Sequence, residues 1–521
     1  MCTALTALPS VGASAWSPGA IPYPAPALDV VASPGGADAG GPDAAAPDAA
    51  APVVLSHLIP LVPVVSFWSD ERSIELSELA RLVGVQVPAG PGNRVIAVSA
   101  PDVAPLGHLL GVTPTVMALP AAEVKRVVQA MPGAIGIIRA DDVTVDVRAL
   151  AIDGVGLFGT DRTWRLAAWP LLVQEPGVTS SFSVSRTWTL AAGGDVMLDK
   201  AVYWQSIRKG QGVNYAWDGG TAAIDRRYCC GWGGKPLVAA HRTGDAGAVG
   251  RIFSAADLSI VNLESPEPNR YRYHSGGFVF TGDPVLLDGL RNAGIDVAGL
   301  ANNHIGNGGA QGILDTINHL DRLGIAHPGA GANSTAARRP AWVTAGGLRI
   351  AVLAYVWGYK PSYAATRSRP GAARYSIYTI VRDIRAAKAA GANLVIVMPH
   401  WGYEYTEAVA ASQRADARAM IDAGADLILG SHSHWVGPFE QIGEGHLAFY
   451  SLGDLVFDWT HDERTQEGVI VVLTFSGSRL VQLDLLPTVI IAGQPNLLDP
   501  AGDGKAVLDP VRRTSEPRLR W

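Results

Sequence analysis

Apolar residues in this chain fall in short dense runs, and each run is followed by polar residues and then by a segment of helical spacing. The runs TLAAGGDVML (189–198), DLSIVNLE (257–264), DVAGLANNH (296–304), NLVIVMPHWG (393–402) and DLILGSHSH (426–434) each predict a buried strand ending in polar side chains. Between them lie DPVLLDGLRNAG, GGAQGILDTINHLDRLG, YTIVRDIRAAKAAG and RADARAMIDAG. Their apolar spacing predicts helices, and the AG or LG endings are natural helix stops. Strand–helix alternation predicts largely parallel sheets covered by helices, with ligands at the carboxyl ends of the strands. Near 467–488, GVIVVLTFSGSRLVQLDLLP predicts an antiparallel hairpin. This α/β unit is expected over 187–488.

An earlier and smaller α/β unit is expected over 53–175. It opens with the apolar run VVLSHLIPLVPVVSFW and continues with a helix SIELSELARLVG, for which Ser73 is the expected N-cap. The strand RVIAVSA, the helix AAEVKRVVQAMPG and the strand AIGIIRA follow, and the unit closes near WPLLVQEP. On VVSFWSDERSIELSELARLVG, PGAIGIIRADD and VRALAIDGVG, its order is similar to part of a periplasmic phosphate-binding-protein lobe. Residues 1–52 are dominated by Ala, Pro and Gly and read as a disordered segment. Residues 489–521 are rich in Pro, Gly and charge and are expected to be a loosely held tail.

Composition narrows the function. The chain has 521 residues, with 41 Lys+Arg against 47 Asp+Glu, a net charge of −6. Nothing there supplies the cationic excess of a general nucleic-acid binder. Apolar residues at 48% are ample for large cores, so disorder of the whole chain is excluded. Three cysteines, Cys2, Cys229 and Cys230, exclude a disulfide scaffold and offer no C-x-x-C metal spacing. Any metal site must therefore use His, Asp, Glu and Asn. No run of about 18 apolar residues predicts a membrane span. The first basic residue is Arg72, so residues 1–52 lack the basic n-region of an export signal.

The five strand ends deliver Asp195; Asn262 and Glu264; Asn302, Asn303 and His304; His400 with Glu404; and His432 with His434. If the strands are neighbours in one sheet, these groups converge on one edge. Carboxylates, imidazoles and an amide oxygen suit Mn²⁺, Fe or Zn²⁺. Six candidate ligands exceed the four of one structural zinc and suggest two ions. Two ions about 3.5–4 Å apart can clamp both oxygens of an in-line displacement, so hydrolysis of a phosphoester is the natural chemical reading. In an extended H-x-H, His432 and His434 point to the same side and both reach one cluster. Gly193 and Gly194 allow close backbone approach beside Asp195. His304, next to an Asn that binds metal, is placed to donate a proton to a leaving oxygen.

Together GGDVMLDKAV, IVNLESP, FVFTGDP, ANNHIGNGGAQGILDTINHL, MPHWGYEYT, MIDAGADLILGSHSHWVGPFE and FYSLGDLVFD resemble the CapA family of capsule and poly-γ-glutamate synthesis proteins. That family lies within the calcineurin-like metallophosphoesterase superfamily. The resemblance spans roughly residues 187–460. It implies a four-layer α/β sandwich with helices flanking two sheets. It also implies a centre of two divalent metal ions held by Asp195, Glu264, Asn303, His400, His432 and His434. His304 then takes the place of the proton-donating histidine, and Asn262 and Glu404 contact substrate or support the ligands. The chain departs from the superfamily at Met197, where a histidine is usual. From the CapA pattern it departs at Asn307 for Asp, Ser433 for Pro and Asp454 for Asn. The resemblance implies a hydrolase of a phosphoester or cell-envelope substrate, in contact with a capsule-synthesis membrane complex and placed outside the cytoplasm. The alternative is a non-catalytic metal-containing component that binds or exports an anionic polymer, with Trp401, Tyr403, Tyr405 and Trp435 as candidate groove aromatics.

Overall fold

The strand Leu348–Val356 shows how the larger unit is layered. Ile350, Val352, Ala354 and Val356 pack into one core, while Ala351, Leu353 and Tyr355 pack into another. Successive side chains of a strand point to opposite faces, so this strand is covered on both sides. The second core also holds Ile380 and Ile384 of the helix Ile377–Ala389 and Met420 of the helix Ala411–Asp422. These are two of the four helices the spacing predicts, and they cover one face of the sheet. The first core is shared with Leu190, Ile260 and Val297 of a second sheet. Each fully buried Ile, Leu or Val there contributes about 1.5–3 kcal/mol. The approach of the sheets is close at Gly299, where a Cβ would lie 2.7 Å from Met398 Cε across the interface.

The computed structural model describes residues 57–85, 94–230, 236–358, 363–458 and 461–515. The expected disordered segment 1–52 lies outside them. One sheet is six-stranded. Leu348–Val356, Leu394–His400, Leu427–Leu429 and Leu447–Phe449 are parallel, with antiparallel strands at both edges. The other is nine-stranded and mixed. Thr187–Val196, Leu258–Leu263 and Val297–Gly299 run parallel, and Asp454–Val456 also pairs parallel with the first of them. The predicted hairpin Glu467–Ser476 and Arg479–Ile491 continues this sheet antiparallel. The larger sheet is therefore less parallel than strand–helix alternation suggests. The helix Ala248–Ala255 buries Val249 and Phe253 against it, which completes an α/β sandwich with helices flanking two sheets.

The chain after residue 488 is not a loose tail among the described residues. Gln494–Leu498 pairs with the hairpin, and the helix Lys505–Ser515 buries Val507 and Val511 in the main core. Ser515 Oγ accepts a hydrogen bond from the Phe439 amide at 2.9 Å. The polar composition misled because only two residues of that helix need to be apolar and inward for it to dock.

The smaller unit is α/β as expected. Its sheet runs Met117–Leu119, Ile96–Ser99, Ile135–Arg139, Ile59–Ser66, Val147–Ala149, with Leu172–Val173 also on the fourth strand. Its core extends to Phe182, past the expected boundary at 175. Ser73 does not cap the first helix. It lies in a short strand, the helix is Leu76–Gly84, and Asp153 reaches 77 residues along the chain to accept the Leu76 amide at 2.9 Å. The unit is bound to the larger one through the hairpin. Val481 joins its core, and the Arg148 guanidinium pairs with Asp484 and donates to Phe67 O at 2.9 Å.

Candidate metal centre

The five polar strand ends meet, but not as ends of one sheet. Asp195, Asn262 and Glu264 belong to the larger sheet, whereas His400 and the 431–434 loop leave the smaller one. The two sheets are stacked, so the carboxyl ends of both face a common space. The register places Asn262 beside Asp195 on adjacent parallel strands, and Asp454 beside Asp195 on its other side. That last contact needs Gly194, whose Cβ would fall 1.8 Å from Gly453 O. The glycine pair before Asp195 thus does permit close backbone approach.

Glu264 is fully buried, and neither of its carboxylate oxygens has a hydrogen-bond partner. Its Oε1 lies 3.4 Å from His400 Nε2. Ligand atoms of Glu264, His400 and His432 all lie within 4.8 Å of one another, and so do those of Asp195, Glu264 and His434. Two triads therefore share one carboxylate. Asn303 Oδ1 sits 2.6 Å from His400 Nε2, while Ser431 Oγ is 2.8 Å from the other ring nitrogen. Asn262 Nδ2 donates to Asp195 Oδ1 at 2.7 Å. Asn302 stays one step back, accepting the His304 and Ile305 amides and shaping the turn.

His432 and His434 do not reach one place along an extended segment. His432 has φ +99° and His434 φ +59°, and their rings are 6.4 Å apart. The left-handed backbone sends one imidazole into each triad. Such conformations cost of order 1–3 kcal/mol each in a non-glycine residue and gather where the surroundings fix them. His432 Nδ1 is buried without a partner. Glu404 is exposed on the loop after the His400 strand and makes no hydrogen bond to the cluster; it acts on Glu264 and His400 only through its charge.

Asp454 is the member that sequence reasoning missed as a site residue. It is fully buried, its Oδ1 lies 2.9 Å from His434 Nδ1, and its Oδ2 has no partner. The only signal was its departure from the family's Asn. Met197, where the superfamily has a histidine, is buried with Phe280, Phe457 and Ile490 and offers no ligand. Among the candidate aromatics, Trp401 is buried and Tyr405 stacks on His434 at 5.7 Å. Tyr403 is exposed and meets Trp357 edge-on.

The electrostatics ask for a cation. Burial, with Glu264 nearby, pushes Asp195 up to about 7. Burial pushes Glu264 up to about 8 and Asp454 up to about 7. Burial lowers His400 to about 4 and holds His432 well below the usual imidazole range, so both rings are neutral and have lone pairs. Burial also opposes charge on His434, but Asp454, Glu264 and Asp195 outweigh it and raise that ring to about 10. Orphaned carboxylate oxygens beside the neutral imidazoles of His400 and His432 form the donor set of hard or borderline divalent cations, and His434 joins it on giving up its proton to an arriving ion. The residues fit metal: Glu264, His400, His432 and Asn303 on one side, Asp195, Glu264 and His434 on the other. Ser431 supports this fit, since its hydroxyl can accept from His400 Nδ1 once Nε2 turns to a metal.

Fold and site together define a two-sheet α/β protein with a buried two-triad candidate metal centre at the shared sheet edge. The family described as Bacterial capsule synthesis protein PGA_cap matches residues 189–459, just over half of the chain. The chain belongs to that family, as its motifs implied. It is 32% identical over 275 residues to the capsule biosynthesis protein CapA of Bacillus anthracis, covering 51% of this chain and 66% of the relative. It is 33% identical over 225 residues to the PGA biosynthesis protein CapA of Bacillus subtilis (strain 168), covering 42% and 58%. The match thus spans just under two thirds of the first relative's length and less of the second's. Among solved structures, a putative 5'-nucleotidase from Staphylococcus aureus is similar at 13% identity, with 62% of this chain and 58% of that one covered and a TM-score of 0.34.

Proposed function

We propose that this capsule-synthesis family member is a metal-dependent hydrolase of a phosphoester or related bond in an anionic cell-envelope polymer or its precursor. The observation that carries the reading is Glu264, a fully buried carboxylate with two partnerless oxygens that both triads share. Two bound divalent ions would supply charge neutralisation and polarisation of the scissile group. The chain's own residues do the rest. Asn307 Oδ1 already accepts the Phe280 amide at 2.8 Å, so His304 Nδ1, 3.0 Å away, is the donor to the same oxygen. That fixes the tautomer and leaves His304 Nε2 as an acceptor. Burial lowers His304 to about 4, so the resting ring is neutral. To protonate a leaving oxygen it must first take up a proton, a step that an anionic substrate favours. Phe280, edge-on to the ring at 4.5 Å, holds its plane.

The same cluster supports a second reading, a metal-containing component that binds a carboxylate polymer without cleaving it, since bound cations attract carboxylates in either case. The family's part in capsule synthesis favours it. An extracytoplasmic position beside a membrane synthesis complex belongs to both readings. Among the described residues no helix is long and apolar enough to cross a membrane. The decisive experiment measures metal content after loading with Mn²⁺, Fe²⁺ or Zn²⁺, with bis(p-nitrophenyl) phosphate turnover on the same samples. The comparison is the Asp195→Ala/His432→Ala variant. About two metals per chain, lost with turnover in the variant, is the expected result. Metal without turnover on this or any polymer-derived ester moves the account to the binding reading, and no metal removes both.

A further inference from the structure

Beside the centre, the loop 264–283 and the start of the helix Gly309–Leu323 enclose a cleft of about 880 Å³. Asn307, the partner of His304, lies in its wall, so the cleft reaches the edge of the candidate centre. Arg270 and Arg272 also line it; both are exposed, and among the described residues no acid pairs with either. The loop that carries them is held in place. Tyr271 and Tyr273 rest on the Tyr203 ring at 4.9 and 5.3 Å and pack against the main core. His274 is tied to Asp199 at 2.8 Å, and Lys200 Nζ donates to Gly277 O at 2.9 Å. With alternate residues anchored inward, the two guanidiniums are turned outward on a fixed strip. The acid in the wall, Asp315, is occupied by the Asn269 amide and Gln311.

We propose that this cleft is a docking groove for a linear polyanion bearing a carboxylate on successive repeats, with Arg270 and Arg272 each taking one carboxylate and the chain leading past Asn307 toward the centre. Arginine's planar fork suits carboxylates, and two such contacts fix direction as well as affinity. The exposed Phe278 and Val279 on the same wall give the polymer's methylene segments a surface to lie on. This inference rests on the reading of the centre as acting on, or holding, an anionic polymer.

The test is direct binding of fluorescent poly-γ-glutamate to the full chain loaded with metal, at low and at physiological salt. Arg270→Glu/Arg272→Glu is expected to weaken binding at least about tenfold and to flatten its salt dependence. Arg382→Glu/Arg385→Glu, the same charge change on the exposed face of a distant helix, is expected to leave the affinity within about twofold. Equal losses from both pairs would mean a bulk charge effect and overturn the groove, as would undiminished binding in the Arg270/Arg272 variant or no binding by the parent protein. Turnover of bis(p-nitrophenyl) phosphate by the parent protein reads the centre separately. Its presence alongside a failed groove leaves the hydrolase reading standing, and its absence alongside selective loss of binding leaves the groove standing without the hydrolase.

Discussion

Two fully buried aspartates in this molecule meet opposite fates. Asp102, in the smaller unit, is clasped by Arg139, whose Nε lies 2.9 and 3.1 Å from its two oxygens and whose Nη2 also reaches Glu175 at 2.9 Å. Asp195, in the larger unit, is equally buried and faces Glu264 and Asp454, and the three acids share one cationic ring, His434, which lies 4.0 Å from Asp195. A buried carboxylate needs a compensating charge. The smaller unit carries its own in full, whereas the centre has one imidazolium for three carboxylates and is built to import the rest. The contrast separates charge that holds a fold together from charge that is kept for a ligand.

The largest expected effect breaks the imported half. Glu264→Gln keeps the shape and removes the shared charge. Metal content is expected to fall from about two per chain to one or none, with turnover or polymer retention down about 10³-fold, read by elemental analysis and kinetics. Unchanged metal content would mean that the triads do not share this carboxylate.

The next effect is a difference in sign. Arg139→Met strands Asp102 and is expected to cost about 3 kcal/mol in denaturant unfolding, with Arg139→Met/Asp102→Asn recovering part of it. In metal-free protein, Asp195→Asn removes a repelled charge while Oδ1 still accepts from Asn262, and the variant is expected to unfold no earlier than the parent. Adding metal should reverse that order, because the parent gains from both triads and the variant keeps only the one formed by Glu264, His400 and His432. Destabilisation of the metal-free Asp195→Asn variant would contradict the comparison.

Support from one step away is smaller. Ser431→Ala removes the hydroxyl beside His400 Nδ1 and is expected to weaken metal binding about 10-fold or somewhat more, measured by competition with a chelator. The smallest effect concerns an acid that belongs to neither cluster. Burial pushes Asp296 up to about 7 from its ordinary 3.8, while its Oδ2 holds the Ser259 amide at 2.8 Å. The folded chain then keeps a proton that the unfolded chain has released. Its contribution is complete below 3.8 and fades as pH rises through 7. Asp296→Asn should flatten the fall in melting temperature over that window, and an unchanged slope would place the pH dependence elsewhere.

Much of this was legible because it is local. A buried strand must be apolar at every position, so the five runs ending at Asp195, Glu264, His304, His400 and His434 stood out, and with them the α/β class and most candidate ligands. Helix periodicity likewise marked the four helices between the runs. Other features depend on which segments meet, and no local pattern encodes that. The ligands come from two stacked sheets rather than one, because packing of apolar faces brings separate strand ends together. The two histidines divide between triads because a left-handed backbone, paid for by surrounding contacts, overrides the alternation of an extended chain. Asp454 enters the centre through a strand pairing that Gly194 alone permits, Asp153 caps a helix 77 residues away, and a polar C-terminal segment becomes strand and helix by docking on a core already formed. The sequence by itself determined the elements and the kinds of side chain at their ends. Only the tertiary structure decided which ends share one space, because burial and charge compensation are properties of neighbours in three dimensions.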